Sequence, residues 1–458
     1  MVVGELVERR QTIIIGGGPA GYTLAIRLAQ LGQQVTLVEK AQVGGSCLHE
    51  GCIPSKFFAK VAKEWASLQK LAMYGIQIEG QTFQWESAQQ QLQKIQSQLT
   101  KGVEALCQKH DIERIEGTAM FSGENRIGIE IGERFELYEY NHLILATGAS
   151  VEREPIFELL GAHCFVGGNI YGIDKLPSSL IVYGIDPYAL EVAFTMKQLG
   201  VDVYIVEKPD SFTYDSSIEK ELRRQSKKKK IKWHTSEQLD ATLVEERVHV
   251  KIEDGVIIEA DALYTSGVKR ANLHSLNAAR LNFQMNGDDL SVNERYETSQ
   301  NHIYALGEMM GREGGASRAI ADAKRLASII VGGEVLEESP FFPLILHTNP
   351  PVVSVGLREQ EMDERHIASQ IPLMTSGIAK VNGTTDGFVK VITNKETTLI
   401  EGLHMIGEGA IELSAHFTQL LDMVAKEEDV LYSVQAHPSI QESVIEAVEN
   451  LRNLAIHQ

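Results

Sequence analysis

Residues 12–21 read Thr-Ile-Ile-Ile-Gly-Gly-Gly-Pro-Ala-Gly, a β-branched run that breaks into a glycine-rich turn. The run predicts a buried strand, and a helical pattern over residues 22–31 stops at Gly32. Residues 34–38 read as a second strand ending at Glu39, which completes a β-α-β unit. Within it Gly16 makes the tight turn, Gly18 lets backbone approach a pyrophosphate and Gly21 lets the helix pack on the sheet. The helix start offers its N–H groups to phosphates. Glu39 stands about 20 positions past the glycines, where a carboxylate binds ribose hydroxyls. This is the pattern of a dinucleotide-binding fold.

The pattern returns farther along. Residues 180–183, 188–199 and 203–206 predict strand, helix and strand, ending at Glu207. The turn here reads Gly184-Ile185-Asp186-Pro187-Tyr188-Ala189. Gly184 survives, and Ala189 is a small replacement for the third glycine. Asp186 puts a side chain and a like charge where a pyrophosphate would lie. Two unit charges about 4 Å apart repel by ~1 kcal/mol in water and ~4 kcal/mol at an effective dielectric of 20. The second dinucleotide site therefore reads as eroded. Between the two units, residues 87–109 predict a long glutamine-rich helix. Residues 143–146, before Thr147-Gly148, look like the last strand of the first domain.

The segment from Gly44 to Lys56 reads Gly-Gly-Ser-Cys-Leu-His-Glu-Gly-Cys-Ile-Pro-Ser-Lys. On an ideal helix, cysteines five positions apart have Cα atoms about 8.6 Å apart, and a disulfide needs less than about 7 Å. Cys47 therefore belongs in a distorted first turn, which Gly51 would help to bend, with Cys52 at a helix start that favours a thiolate. Lys56 lies one turn past Cys52 on the same face. No second Cys or His pair completes a metal ligand set. A redox pair is the favoured reading, with a structural disulfide left open. Cys107 and Cys164 stand alone and read as buried apolar side chains.

The remaining totals set bounds. The chain has 458 residues, 43% hydrophobic and 23% charged, with a net charge of −19. That charge disfavours a nucleic-acid partner. No stretch reaches the roughly 18 apolar residues of a membrane span. Residues 1–10 are too acidic for a secretory signal, so a cytoplasmic location is the default expectation. The basic run Arg223, Arg224, Lys227–Lys230 and Lys232 is expected to be a solvated helix end.

With these residues in view the chain resembles the pyridine nucleotide-disulfide oxidoreductases, on their dihydrolipoamide dehydrogenase branch. Further matching segments are Ala146-Thr147-Gly148, Tyr304-Ala305-Leu306-Gly307, Ser354-Val355-Gly356 and His437-Pro438-Ser439. The resemblance implies two doubly wound α/β dinucleotide-binding domains plus an α+β C-terminal dimerisation domain. The expected divisions are an FAD domain over 1–150, an NAD-like domain over 151–272, a central segment over 273–340 and an interface domain over 341–458. It implies FAD held by Gly16, Gly18, Pro19, Ala20, Gly21, Glu39, Lys40, Gly45, Ser46, Lys56, Gly117, Ala119, Ala146, Thr147, Gly148, Gly307 and Glu308, the last in place of the family's aspartate. Cys47 would be the interchange thiol and Cys52 the flavin-facing one. His437, held by Glu442, would be the acid–base, reaching over from the partner of a homodimer. Lys56 would pair with Glu191. NAD, if used, would meet Gly184, Glu207 and Gly267, but Val268 stands where the family has arginine. The leading expectation is electron flow from a dihydrolipoyl-type dithiol, free or on a lipoyl domain, through the thiols and FAD to NAD. The alternatives are a flavin-disulfide enzyme with another electron partner and a non-enzymatic flavoprotein subunit.

Overall fold

The computed structural model describes residues 7–457 apart from Gln69, Glu124, Asp210 and Leu336. Residues 1–6, most of the acidic N-terminus considered above, lie outside this description. Strand β1 (Val7–Ile15) is longer than the β-branched run, but only its end is fully apolar: Ile13 and Ile14 are completely buried. Helix α1 (Pro19–Gln30) begins with Pro19 in its first turn and buries Ala20, Gly21, Leu24, Ala25 and Leu28. Leu24 and Leu28 recur one turn apart, so each contributes about 1.5–3 kcal/mol from the same face. β2 (Val35–Glu39) lies parallel to β1.

Two short breaks then set the site. Helix α2 (Gly45–His49) is followed at once by α3 (Cys52–Leu68) and, after a loop, by α4 (Trp85–Lys109). The glutamines of α4 do more than cover its surface. Gln89 donates to the carbonyls of Tyr171 and Ile173 at 3.2 and 2.9 Å, and Gln96 to those of Leu48 and His49 at 3.1 and 2.9 Å. β3 (Glu113–Glu116), β4 (Thr118–Gly123), β5 (Arg126–Ile131) and β6 (Arg134–Leu145) complete a sheet of order β3-β2-β1-β6-β5-β4. Ile303–Ala305 joins it beside β6, in parallel register with residues 143–145, so chain from far downstream returns to the first domain. β6 is therefore central to this sheet, although it ends the domain's first continuous stretch.

After β7 (Ala149–Glu152) and β8 (Cys164–Val166), the second unit comprises β9 (Ser179–Tyr183), α5 (Pro187–Gln198), β10 (Asp202–Glu207), α6 (Ser216–Lys228) and β11 (Lys232–Thr235). Its parallel sheet runs β11-β10-β9, then Ala262–Thr265, then β8. α5 is buried from Ala189 to Met196, as suits a helix covered on most sides. The basic run around α6 is largely exposed, as expected of a solvated helix end, and it also carries ion pairs. Arg223 pairs with Glu207 and Glu219, Arg224 with Glu221, and Lys228 with Asp386 of the C-terminal sheet. A two-stranded ribbon of β7 and Val268–Ala271 links the two units.

The C-terminal part is a five-stranded antiparallel sheet backed by Ala410–Asp422 and Glu442–Asn450, with its own apolar core around Leu403, Phe417 and Val448. Among the described residues, no helix is long and apolar enough to cross a membrane.

Candidate active site

The glycines of the first unit are required by space. A Cβ on Gly16, whose φ is +107°, would stand 2.2 Å from the Ala146 carbonyl oxygen, and one on Gly21 would stand 1.8 Å from that of Gly16. Gly18 caps α1 with extended backbone and no side-chain hydrogen bond, which leaves the helix start to a ligand's phosphates. Gly45 faces it: a Cβ there would lie 2.7 Å from the Gly18 Cα. Together these bare backbones form a slot that any larger residue would fill. Glu39 is held at the end of β2 by backbone N–H groups, one carboxylate oxygen accepting from Gly17 at 2.6 Å and the other from Ala41 at 2.9 Å. Lys40 beside it is exposed, as is Ser46. The Gly117 N–H donates to the Glu39 carbonyl at 3.0 Å, and Ala119 is buried in β4. At the far end, Thr147 donates to the Asn272 carbonyl at 2.9 Å between Ala146 and the left-handed Gly148. Gly307, also left-handed, delivers Glu308, which accepts from Lys269 at 2.9 Å.

The cysteines lie on either side of a helix break. Cys47 is inside α2 and Cys52 opens α3. The chain bends at Gly51 as expected: α2 ends just before it at Glu50, with φ −128° and ψ −30°, and left-handed glycines stand upstream at Gly44 and Gly45. The Glu50 and Gly51 N–H groups both turn back to the Ser46 carbonyl, at 2.8 and 2.7 Å, and Gln96 holds the last carbonyls of α2. Both cysteines are thiols, hydrogen-bonded to each other. The bond from Cys47 brings the Cys52 thiol down to about 7, against the effect of burial and with help from the Lys56 charge. The same bond and burial push the Cys47 thiol up. Lys56 is fixed by Glu191 of α5 at 2.6 Å. Glu191 is buried, and its second oxygen accepts the His347 N–H at 2.9 Å.

His437 stands apart. Its Nδ1 is 2.8 Å from Glu442, whose other oxygen accepts the Ser439 N–H at 2.6 Å. The imidazole hydrogen bond holds the Glu442 carboxyl below its usual range. The side chain is 84% exposed, and among the described residues no hydrogen bond or ion pair joins it to either thiol of this chain.

In the second unit Gly184 keeps the left-handed turn, with φ +99°, and Gly267 is left-handed at the start of the ribbon. Asp186 is the N-cap of α5. Its Oδ1 accepts the N–H groups of Tyr188 and Ala189 and the hydroxyl of Ser266. Glu207 is buried and accepts from Arg223 at 2.6 Å and Thr235 at 2.9 Å.

The family described as pyridine nucleotide-disulphide oxidoreductase matches residues 10–323, and its dimerisation domain matches residues 342–448. The chain belongs to this family. A dihydrolipoyl dehydrogenase of Haloferax volcanii is 32% identical over 479 residues, spanning 100% of this chain and 99% of that protein. One from Pseudomonas aeruginosa is 29% identical over 470 residues, spanning 98% and 99%. Among solved structures, LpdA of Mycobacterium tuberculosis superposes with a TM-score of 0.88 at 22% identity, covering 97% of this chain and 100% of that one. The HOCl-induced flavoprotein disulfide reductase RclA of Escherichia coli, solved as a Cu(II) complex, gives 0.87 at 20%, with the same coverage. These two show the fold alone.

The protein is thus a flavin-disulfide oxidoreductase, and the residues present fit its FAD. The Gly18–Gly45 slot suits a pyrophosphate, and Glu39 keeps its carboxylate at the strand end for a ribose. The residues of the second unit do not fit NAD in the same way, because Asp186 and Glu207 are already engaged. Three contributors escaped the sequence reading: Gln96, Ser266 and the Lys269–Glu308 pair. The Asp186 cap had a signal, since aspartate before a helical proline is a common helix start.

Proposed function

We propose that the protein exchanges electrons between a dihydrolipoyl-type dithiol and its own Cys47–Cys52 pair. The observation that carries this reading is the pair of free thiols on either side of the α2–α3 break, with Cys52 one turn from a Lys56 ammonium that Glu191 holds in place. When the pair is a disulfide, a substrate thiolate attacks the Cys47 sulfur. The bond between the cysteines breaks, and Cys52 leaves as a thiolate, which its low pKa favours. His437 of one subunit takes the proton of the second substrate thiol at the other subunit's site. That sulfur attacks the mixed disulfide at the substrate's own sulfur. The substrate departs as a disulfide, and Cys47 receives the proton from His437. One dithiol is oxidised and one protein disulfide is reduced. Bound FAD supplies the acceptor for the electron pair on Cys52. Glu442 orients the imidazole and stabilises its charged form.

Dihydrolipoamide added anaerobically to the FAD-loaded protein is expected to bleach the flavin absorbance. An unchanged spectrum in flavin-loaded protein would sink the proposal. The engagement of Asp186 and Glu207 favours, for the onward electrons, the reading with a partner other than NAD.

A further inference from the structure

We infer that the second dinucleotide groove is filled by the chain's own side chains, and that a nicotinamide dinucleotide is not the electron partner of this flavin. The inference deepens the dithiol reading and rests on it. The comparison is internal, because two β-α-β units of one design stand in one chain.

At the phosphate position the first unit has Gly18, which makes no side-chain cap to α1. The second has Asp186. Its Oδ1 takes the Tyr188 N–H at 2.9 Å, the Ala189 N–H at 3.3 Å and the Ser266 hydroxyl at 2.8 Å. The helix start that should receive a pyrophosphate thus already holds an anion, and a phosphate would have to displace these bonds against a like charge.

At the ribose position Glu39 is held, among the described residues, by the two backbone N–H groups named above. Glu207 is 3% exposed and clamped by Arg223 and Thr235. Arg223 is itself fixed by Glu219 at 2.8 Å and by the Trp233 ring, 4.6 Å from its guanidinium. Both bonds to Glu207 go to Oε1 of an almost fully buried side chain, so ribose hydroxyls would meet a carboxylate that a guanidinium already neutralises.

At the third position the first unit has Ala20, small enough to lie against Gly307. The second has Tyr188, whose ring lies 4.9 Å from the Lys269 ammonium, which in turn binds Glu308 at 2.9 Å. Burial raises the Tyr188 phenol, and the charges of Glu308 and Cys52 also act on it. The tyrosine therefore sits between the groove and the flavin-side groups. The phosphate position and the flavin-side face are thus met by Asp186 and Tyr188 at one helix start, and the ribose position by Glu207 at the end of β10.

The test uses FAD-loaded full-length protein under anaerobic conditions. NADH and NADPH, each at about 1 mM, the upper end of ordinary KM values, are expected to leave the flavin oxidised and to give no binding heat. The variants D186G and D186G/R223A are expected to bind NADH roughly tenfold or more tightly than the parent. D186N keeps a capping oxygen and is expected to stay closed. Flavin reduction of the parent by either nucleotide at micromolar concentration would overturn the inference. So would parent-like NADH affinity in flavin-loaded D186G/R223A. The parent protein decides the matter even where a variant fails to fold. A dihydrolipoamide arm separates the two readings: nucleotides and dithiol both inactive sinks the dithiol reading, and both active sinks only the closed groove.

Discussion

Cys52 owes its lowered pKa first to the Cys47 hydrogen bond and then, among the favourable effects, to Lys56. The sign follows directly. Below about 7 the thiol is protonated and weakly reactive, and above it the thiolate dominates, so thiolate absorbance of the reduced protein should rise through that pH. C47S can still donate a hydrogen bond and is expected to hold the midpoint near its parent position, whereas C47A should move it up. A pH titration of the two variants checks this, and equal midpoints would dismiss the hydrogen bond as the main cause. K56M should also raise the midpoint. It leaves the Glu191 carboxylate buried with only the His347 N–H, at a cost of about 1–3 kcal/mol measurable by denaturant unfolding. The pairing of Cys47 with Cys52 was legible because it follows from local spacing and helix geometry, whereas their separate roles came with the family resemblance. The Lys56–Glu191 pair joins positions from two domains and came only with the family resemblance.

At the scale of elements, the site depends on α1, α2 and α5 beginning correctly. G45A places a side chain at φ +59° and 2.7 Å from the Gly18 Cα. It should lower the flavin-to-protein ratio of the purified protein sharply while far-UV dichroism stays near native. Full flavin content would show that the slot is not where the pyrophosphate lies. Q96A removes the donor from two carbonyls at the end of α2, each bond worth about 1 kcal/mol net. It should loosen the Cys47 turn, read as faster alkylation of Cys47 with the flavin still bound. The glutamine-rich composition of α4 predicted a helix but gave no sign of this task, because the carbonyls it serves lie 47 and 48 positions earlier in the chain.

Across the whole molecule, a buried polar cluster joins the second unit to the C-terminal sheet. Lys390 reaches both oxygens of Asp215, at 2.9 and 3.0 Å, and Glu359 at 2.9 Å, while the buried His404 lies 3.8 Å from Asp215. Burial opposes the Asp215 charge, but His404, Ser217, the Glu359 N–H and Lys390 outweigh it and hold the carboxyl down at about 2. An unfolded aspartate titrates near 3.9. The stabilisation is therefore present above about pH 4 and lost as pH falls toward about 2. K390M, which strands Asp215, should cost about 3–5 kcal/mol, read as a lower urea midpoint. An unchanged midpoint would show that the cluster does not hold the domains together. At the same scale, His437 makes no bond to either thiol of its own chain among the described residues, which predicts complementation. C47S and H437Q dimers should each be inactive in disulfide exchange, and mixed dimers should regain part of the activity. No recovery on mixing would place the acid–base within one subunit.

The sequence by itself determined both β-α-β units, the thiol pair and the acidic strand ends, because each rests on interactions within a few residues: a left-handed turn, a helix start, a period of burial. It also marked Asp186 as hostile to a pyrophosphate. Only the tertiary structure decided why the two similar units differ in use. Glu39 and Glu207 occupy the same place in the pattern, yet one is held by neighbouring backbone and the other is clamped by Arg223 and Thr235. A carboxylate's availability depends on what the fold packs against it, and those partners come from elements that the local pattern does not specify.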